Sequence, residues 1–228
     1  MPFVERTHQI PLAAMLQSAR ALIVFEATAV CLVDRLGSVR FSPGLAHLRI
    51  KQLDAGVNED SLQKQLGPCE GDRVLDCTLG LAADAQVAAR LVGPRGSVTA
   101  LEKSTPLFLL ARHGLAGLPR HPRSAPIEVL HADAHRYLAA AAPRSVDWVL
   151  YDPMFERKRK SSTAFEALRR HADYAPLTRP TLLEARRVAR KAVILKGARY
   201  SSDFKKLGVE PEPARPNATV LWAKVPAD

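Results

Sequence analysis

Residues 71–91 read GDRVLDCTLGLAADAQVAARL, and this stretch decides the fold. Residues 73–77 predict a strand, Thr78-Leu79-Gly80 a turn, and the alanine-rich residues 82–91 a helix stopped by Gly93-Pro94. Toward the C-terminus the alternation repeats. Strands are predicted over 97–101, 127–130 and 146–151, with helices over 106–115 and 134–142 between them. Past Pro153 follow helices near 165–171 and 182–188, a strand over 192–195, and a closing strand over 219–225 reached through Pro211, Pro213 and Pro216. Strands alternating with helices at this spacing predict an α/β fold, a parallel, doubly wound sheet wrapped by helices. Toward the N-terminus lies a small α+β extension: a helix over 12–19, strands over 21–25, 30–33 and 39–41, then a helix from Ser42-Pro43 to Asp54, ended by Gly56. That last helix is expected to place Leu45, Leu48 and Leu53 on one face, with Arg49 and Lys51 elsewhere. The reading divides the chain into an extension over 1–56 and a main domain over 57–228.

Length and composition narrow the function classes. With 228 residues and 47% hydrophobic content the chain buries a sizeable core, so neither intrinsic disorder nor a disulfide-stapled miniprotein is expected. The nearly apolar run 21–33 is interrupted by Glu26 and is too short to span a bilayer. Glu5, Arg6 and His8 precede only a brief apolar stretch, which argues against a signal peptide, and an odd count of three cysteines without a CxxC pair fits a reducing cytoplasm. The net charge of +10 is concentrated: residues 157–206 hold 15 Lys and Arg against 4 acids, while the remainder is close to neutral. That asymmetry fits a polyanion approached from one side, or simply solvated helix faces.

Four acids fall at one edge of the expected sheet. Asp76 ends the first strand of the main domain, and Glu102, Asp133 and Asp152 follow the next three. Each singly could be a helix N-cap, but together they point to a ligand site outside the carboxyl ends of the strands. The turn after the first strand, with Thr78, Gly80, Ala83 and Asp84, lacks the full G-x-G-x-x-G pattern. Glu102 suits the cis-diol of a ribose, and Asp133 could accept from an adenine amino group. With no second phosphate-binding glycine, the adenosine ligand need not carry phosphates. S-adenosylmethionine fits, because its sulfonium and ammonium would favour the carboxylates of Asp76 and Asp152.

The sharpest motif is Asp152-Pro153-Met154-Phe155, which resembles the [DN]PP[YF] signature of amino-directed methyltransferases. An exocyclic base nitrogen is a poor nucleophile because its lone pair is delocalised into the ring. Hydrogen bonds from the amine to the Asp152 carboxylate and the Pro153 carbonyl would aim that lone pair at the methyl group, while Phe155 stacks on the base. The plain alternative is a strand-ending turn with a core phenylalanine. The adjoining Arg157, Lys158, Arg159 and Lys160 would clamp phosphates without reading sequence. His131 and His135 lack the surroundings of a metal site, so no metal is expected.

The stretch from Asp76 to Lys160 resembles the class I methyltransferase family that methylates a guanine N2 in bacterial small-subunit ribosomal RNA, the J-type enzymes. The likeness rests on Asp76-Cys77-Thr78-Leu79-Gly80-Leu81-Ala82-Ala83-Asp84-Ala85, on Leu101-Glu102-Lys103, and on Asp152-Pro153-Met154-Phe155 with the basic stretch that follows. Glu156 stands where that family has proline. Residues 41–53 (FSPGLAHLRIKQL) with 77–84 (CTLGLAAD) also resemble a less characterised group of bacterial methyltransferases related to it. The resemblance implies a Rossmann-like class I fold, mostly parallel with an antiparallel C-terminal strand. It also implies a pocket for S-adenosylmethionine lined by Ala83, Asp84, Glu102, Lys103, Asp133, Ala134 and Asp152. The expected function is N-methylation of a base in ribosomal RNA by a cytoplasmic enzyme with no membrane partner. DNA adenine methylation, protein amine methylation and a non-catalytic RNA-binding role stay open as alternatives.

Overall fold

The structure is a computed structural model that describes residues 11–57, 60–153 and 163–228. The N-terminal part opens with helix α1 (Leu12–Ser18), followed by the antiparallel meander β1 (Ala21–Glu26), β2 (Ala29–Asp34) and β3 (Gly37–Arg40), and by helix α2 (Gly44–Asp54). The turn between β2 and β3 is closed by the Asp34 carboxylate, which accepts the Leu36 N–H at 2.8 Å.

The main sheet follows from the alternation in the sequence. Its elements in chain order are α3 (Ser61–Leu66), β4 (Arg73–Asp76), α4 (Ala83–Val92), β5 (Ser97–Glu102), α5 (Thr105–Ala116), β6 (Ile127–His131), α6 (Ala134–Ala140) and β7 (Val146–Tyr151). They continue with α7 (Thr163–His171), α8 (Arg179–Val188), β8 (Ala189–Ala198), α9 (Asp203–Leu207) and β9 (Val220–Pro226). The strand order is β6-β5-β4-β7-β8-β9, with the first five strands parallel and β9 antiparallel to β8. The chain leaves β4 toward β5 and β6, then returns to the other side of β4 with β7. The strand order therefore reverses between β4 and β7, where an open α/β sheet presents its ligand crevice. Both faces are covered by helices, which is why Leu75, Val149 and Val193 in the central strands are fully buried.

The fold matches the expected class, and the differences are local. Helices α3 and α9 were not predicted, because six and five residues are too short to display a helical period. Strand β8 runs ten residues, beyond the apolar core of 192–195. In α2 the expected leucine face is only partly covered: Leu53 packs against the core, but Leu45 and Leu48 are 64% and 55% exposed and Ala46 is the buried residue. The helix packs against α4, with Ile50 and Leu53 against the core and Arg49 turned inward to the carboxylates of Asp60 and Asp84.

Leu32, Val39 and Phe41 of the N-terminal part share one apolar cluster with Val74, Leu107 and Leu110 of the sheet and α5. The tightest approach is at Gly114, where a Cβ would sit 2.1 Å from the Phe41 ring. In an open helix, replacing glycine by alanine gains about 1 kcal/mol. Here overpacking should outweigh that gain, so Gly114→Ala is expected to destabilise the protein by about 1–3 kcal/mol in urea unfolding. A stabilised variant would mean that Phe41 does not pack on α5.

Candidate active site

The acids predicted at the strand ends converge. Asp76 is the last residue of β4 and Glu102 the last of β5, Asp133 caps α6 just past β6, and Asp152 follows β7. All four line one cavity of about 800 Å³, within the usual range for a small-molecule site. Thr78, Gly80, Ala83, Asp84, Lys103, Ala134 and Pro153 line the same cavity, so the structure brings together every described residue singled out for cofactor or amine. Phe155 and the Arg157, Lys158, Arg159 and Lys160 run lie outside the described residues.

The turn between β4 and α4 is tied to the ends of its neighbouring strands. The Asp76 carboxylate accepts the Thr78 N–H at 2.9 Å, and the Thr78 hydroxyl accepts the Asp152 N–H at 2.7 Å. On the other side, Gly80 N–H donates to one oxygen of Glu102 at 3.0 Å, while Ser104 N–H donates to the other at 2.8 Å. The turn needs left-handed backbone at Gly80 (φ 53°) and again at Ala82 (φ 62°), a strained position for a residue with a Cβ. Asp133 accepts the Arg136 N–H at 3.0 Å and pairs with Lys103 at 3.2 Å, and Lys103 also reaches Asp173 at 3.0 Å.

Two cations at the centre of the site were missed in the sequence. Lys196 Nζ, from β8, lies 2.6 Å from Asp84 and 2.5 Å from Asp152. Arg49, from α2, holds the other oxygen of Asp84 at 2.6 Å and also pairs with Asp60, the N-cap of α3. Lys196 had been counted with the basic segment. The strand-end rule that selected the acids applies equally to a lysine closing the run KAVILK, and would have found it. Arg49 had no such signal, since it lies inside an amphipathic helix.

These pairs set the ionisation of the cluster. Burial pushes the Asp76 carboxyl up to about 7, and the nearby charges of Asp84 and Asp152 add to it. For Asp84, burial alone would raise the pKa, but Lys196 and Arg49 together hold it below the usual carboxylate value. Burial likewise opposes charge on Lys196, yet Asp84 and Asp152 keep its pKa raised. Burial raises the Asp152 carboxyl against the opposing pull of Lys196.

The basic segment is less exposed in its charge than its composition suggests. Arg170 pairs with Asp34, Lys191 with Asp72, Arg186 with Asp228 and Arg190 with Asp147, each carboxylate coming from outside the segment. Together with Lys196 these cations bind the protein to itself. Cys77 is a buried thiol whose pKa burial pushes well up, in keeping with a packing role.

The family model described as "Putative SAM-dependent methyltransferase" matches residues 13–211. Uncharacterized protein YpiP of Bacillus subtilis (strain 168) is 34% identical over 214 residues, covering 91% of this chain and 83% of that protein. Among solved structures, a SAM-dependent methyltransferase from Neisseria gonorrhoeae superposes with a TM-score of 0.63 at 20% identity, covering 96% of this chain and 86% of that one, and establishes the fold. A SAM-dependent methyltransferase from Aquifex aeolicus aligns with a TM-score of 0.49 at 17% identity, over 81% of this chain and 99% of that one.

Asp76 gives the site a measurable pH signature. Folded, it keeps its proton up to about pH 7; unfolded, it loses it near its ordinary value of 3.8. Between those values the native state binds the extra proton, so this contribution to stability is greatest near pH 4 and declines as pH rises to about 7. Asp76→Asn keeps an acceptor for the Thr78 N–H but cannot titrate. Relative to wild type, the ligand-free variant is expected to gain up to about 4 kcal/mol between about pH 4 and pH 8, at about 1.4 kcal/mol per pH unit, read by urea unfolding. A difference that stays constant with pH would show Asp76 to be ionised throughout.

Proposed function

Because the chain belongs to the SAM-dependent methyltransferase family, with S-adenosylmethionine as its cofactor, we propose that it methylates an exocyclic amino nitrogen of a base in RNA, ribosomal RNA in particular. The observation that carries this reading is the position of Asp152-Pro153, directly beyond β7 at the strand-order reversal and beside the carboxylates of the cleft. The cleft suits its cofactor by charge. Among the described residues its lining carries six carboxyl groups, of which Asp76 holds its proton up to about pH 7, against four lysine and arginine side chains, and the cofactor's sulfonium and ammonium outweigh its single carboxylate. Each Glu102 oxygen takes one backbone N–H and so retains acceptor capacity for a ribose hydroxyl.

The bound cofactor supplies a methyl group already activated on sulfur, so the chain's own part is mainly orientation. The Asp152 carboxylate and the Pro153 carbonyl are two acceptors on adjacent residues, suited to the two N–H groups of an amine. Thr78 holds the backbone at Asp152, and Lys196 holds its side chain. The cofactor, once bound, would supply the methyl group and keep the electron pair of its carbon–sulfur bond, and Asp152 or water would take the proton that the nitrogen gives up. The Asp152-Pro153-Met154-Phe155 motif, by its likeness to the J-type family, points to a ribosomal guanine; Phe155 would stack on the base and Arg157 to Lys160 would hold phosphates.

The test is transfer of tritiated methyl groups to RNA, DNA and protein fractions from cells lacking the enzyme, followed by nucleoside digestion. Label is expected in RNA, on a base amino nitrogen. Label confined to protein or DNA, or on carbon or ribose oxygen, overturns the reading. Asp152→Ala should lower transfer about 10²- to 10⁴-fold, with RNA retention on filters kept.

A further inference from the structure

A second cavity, of about 1,000 Å³, adjoins the cofactor cleft, and Tyr151, Pro153 and Lys196 belong to the walls of both. The two cavities therefore meet at the Asp152-Pro153 turn. Their electrostatics are opposite. The first has an excess of carboxyl groups, whereas the second, among the described residues, sets Arg199 and Lys206 against the single carboxylate Asp203, the charge of the shared Lys196 being already met by Asp84 and Asp152. An acid-rich chamber suits a cationic methyl donor, and a base-rich chamber suits an acceptor attached to an anion.

The second cavity also carries an aromatic ring that the fold does not use for packing: Tyr200 in its lining is 94% exposed, while Tyr174, also in the lining, is 43% exposed and donates its hydroxyl to the Arg169 carbonyl at 3.0 Å. The Tyr200 segment is nonetheless held in place. Arg199 N–H donates to Thr219 O at 3.1 Å, Ser201 N–H donates to Ala198 O at 2.9 Å, and the Arg199 guanidinium donates to the carbonyls of Ala218 and Arg215, each at 2.6 Å. Beneath it, Phe204 packs so closely on Gly197 that a Cβ there would lie 2.3 Å from the ring. An exposed aromatic ring on an anchored segment is a stacking platform for a flat, π-faced partner. Ser202 and Asn217 in the same lining supply hydrogen-bonding groups suited to a base edge.

We propose that this second cavity is the acceptor site: it takes a single unstacked nucleobase of RNA with one face on the ring of Tyr200, leaving the other face for the stacking assigned to Phe155, with Lys206 on the neighbouring phosphate and the amine directed past Pro153 toward Asp152. The inference rests on the amino-methylation of RNA proposed above and adds the site that performs the recognition.

The experiment combines kinetics with cross-linking. Tyr200→Ala, at a position almost fully exposed, is expected to cut kcat/KM for RNA by about 10- to 100-fold, the usual size of a lost base–aromatic stack. Tyr200→Phe should recover most of it, and calorimetric binding of S-adenosylmethionine should be the same in both variants as in wild type. Ultraviolet cross-linking of 6-thioguanosine-substituted RNA, whose base keeps the exocyclic N2 amine, to the wild-type enzyme, mapped by mass spectrometry, should label peptides containing Tyr174 or Tyr200. If wild type methylates RNA but Tyr200→Ala matches it and cross-links fall elsewhere, the acceptor site is wrong while the function stands. An equal loss in Tyr200→Phe assigns the effect to the hydroxyl and overturns stacking. If wild type methylates no RNA, the function reading fails and takes the acceptor site with it.

Discussion

The Lys196 ammonium, buried between Asp84 and Asp152, is the contact on which the arrangement of the site depends. A charge removed from water is tolerated only with close partners of opposite sign, and removing one partner strands the others. Three elements must therefore keep their relative positions: β8, which carries the lysine, the first turn of α4, which carries Asp84, and the end of β7, which leads to Asp152. Arg49 extends the constraint by holding the second oxygen of Asp84 from α2 and clasping Asp60 at the start of α3. Together with the apolar cluster shared with the sheet, that pairing makes the N-terminal part a wall of the cofactor cleft.

The same pairing logic redistributes charge across the molecule. The basic C-terminal segment meets acids contributed by the rest of the chain: Asp34 on β2, Asp72 before β4 and Asp147 on β7. Much of the charge asymmetry along the sequence is thus used in fastening C-terminal elements to the sheet and to the meander. What remains uneven is local, with acids dominating one cavity and bases the other on either side of Asp152-Pro153. For a reaction that joins a cationic donor to a polyanionic acceptor, that separation places each reactant in the field that favours it.

Much of the fold could be read directly from the chain. The β4–α4 unit, the three further strand–helix repeats and the acids at 76, 102, 133 and 152 depend on local periodicity and turn chemistry, and the structure has them where the pattern put them. The short helices α3 and α9 escaped because a single turn or two has no period to detect, and α2 leaves Leu45 and Leu48 exposed while Arg49 faces Asp60 and Asp84, partners that no local pattern reveals. Ala82 is a local surprise of another kind. The turn requires a second left-handed residue there, and the composition offered alanine where glycine is easier.

The sequence by itself determined the alternation, the edge of the sheet that carries the acids and the motif that follows β7, because each is written within ten or so consecutive residues. Only the tertiary structure decided which cations complete the acids and where a second chamber opens. Lys196 finds its partners 112 and 44 residues away along the chain, on a side chain long and flexible enough to reach solvent or carboxylate alike. Its direction is chosen by the low-dielectric pocket that the packed sheet and helices create, and that pocket has no counterpart in any local stretch of sequence.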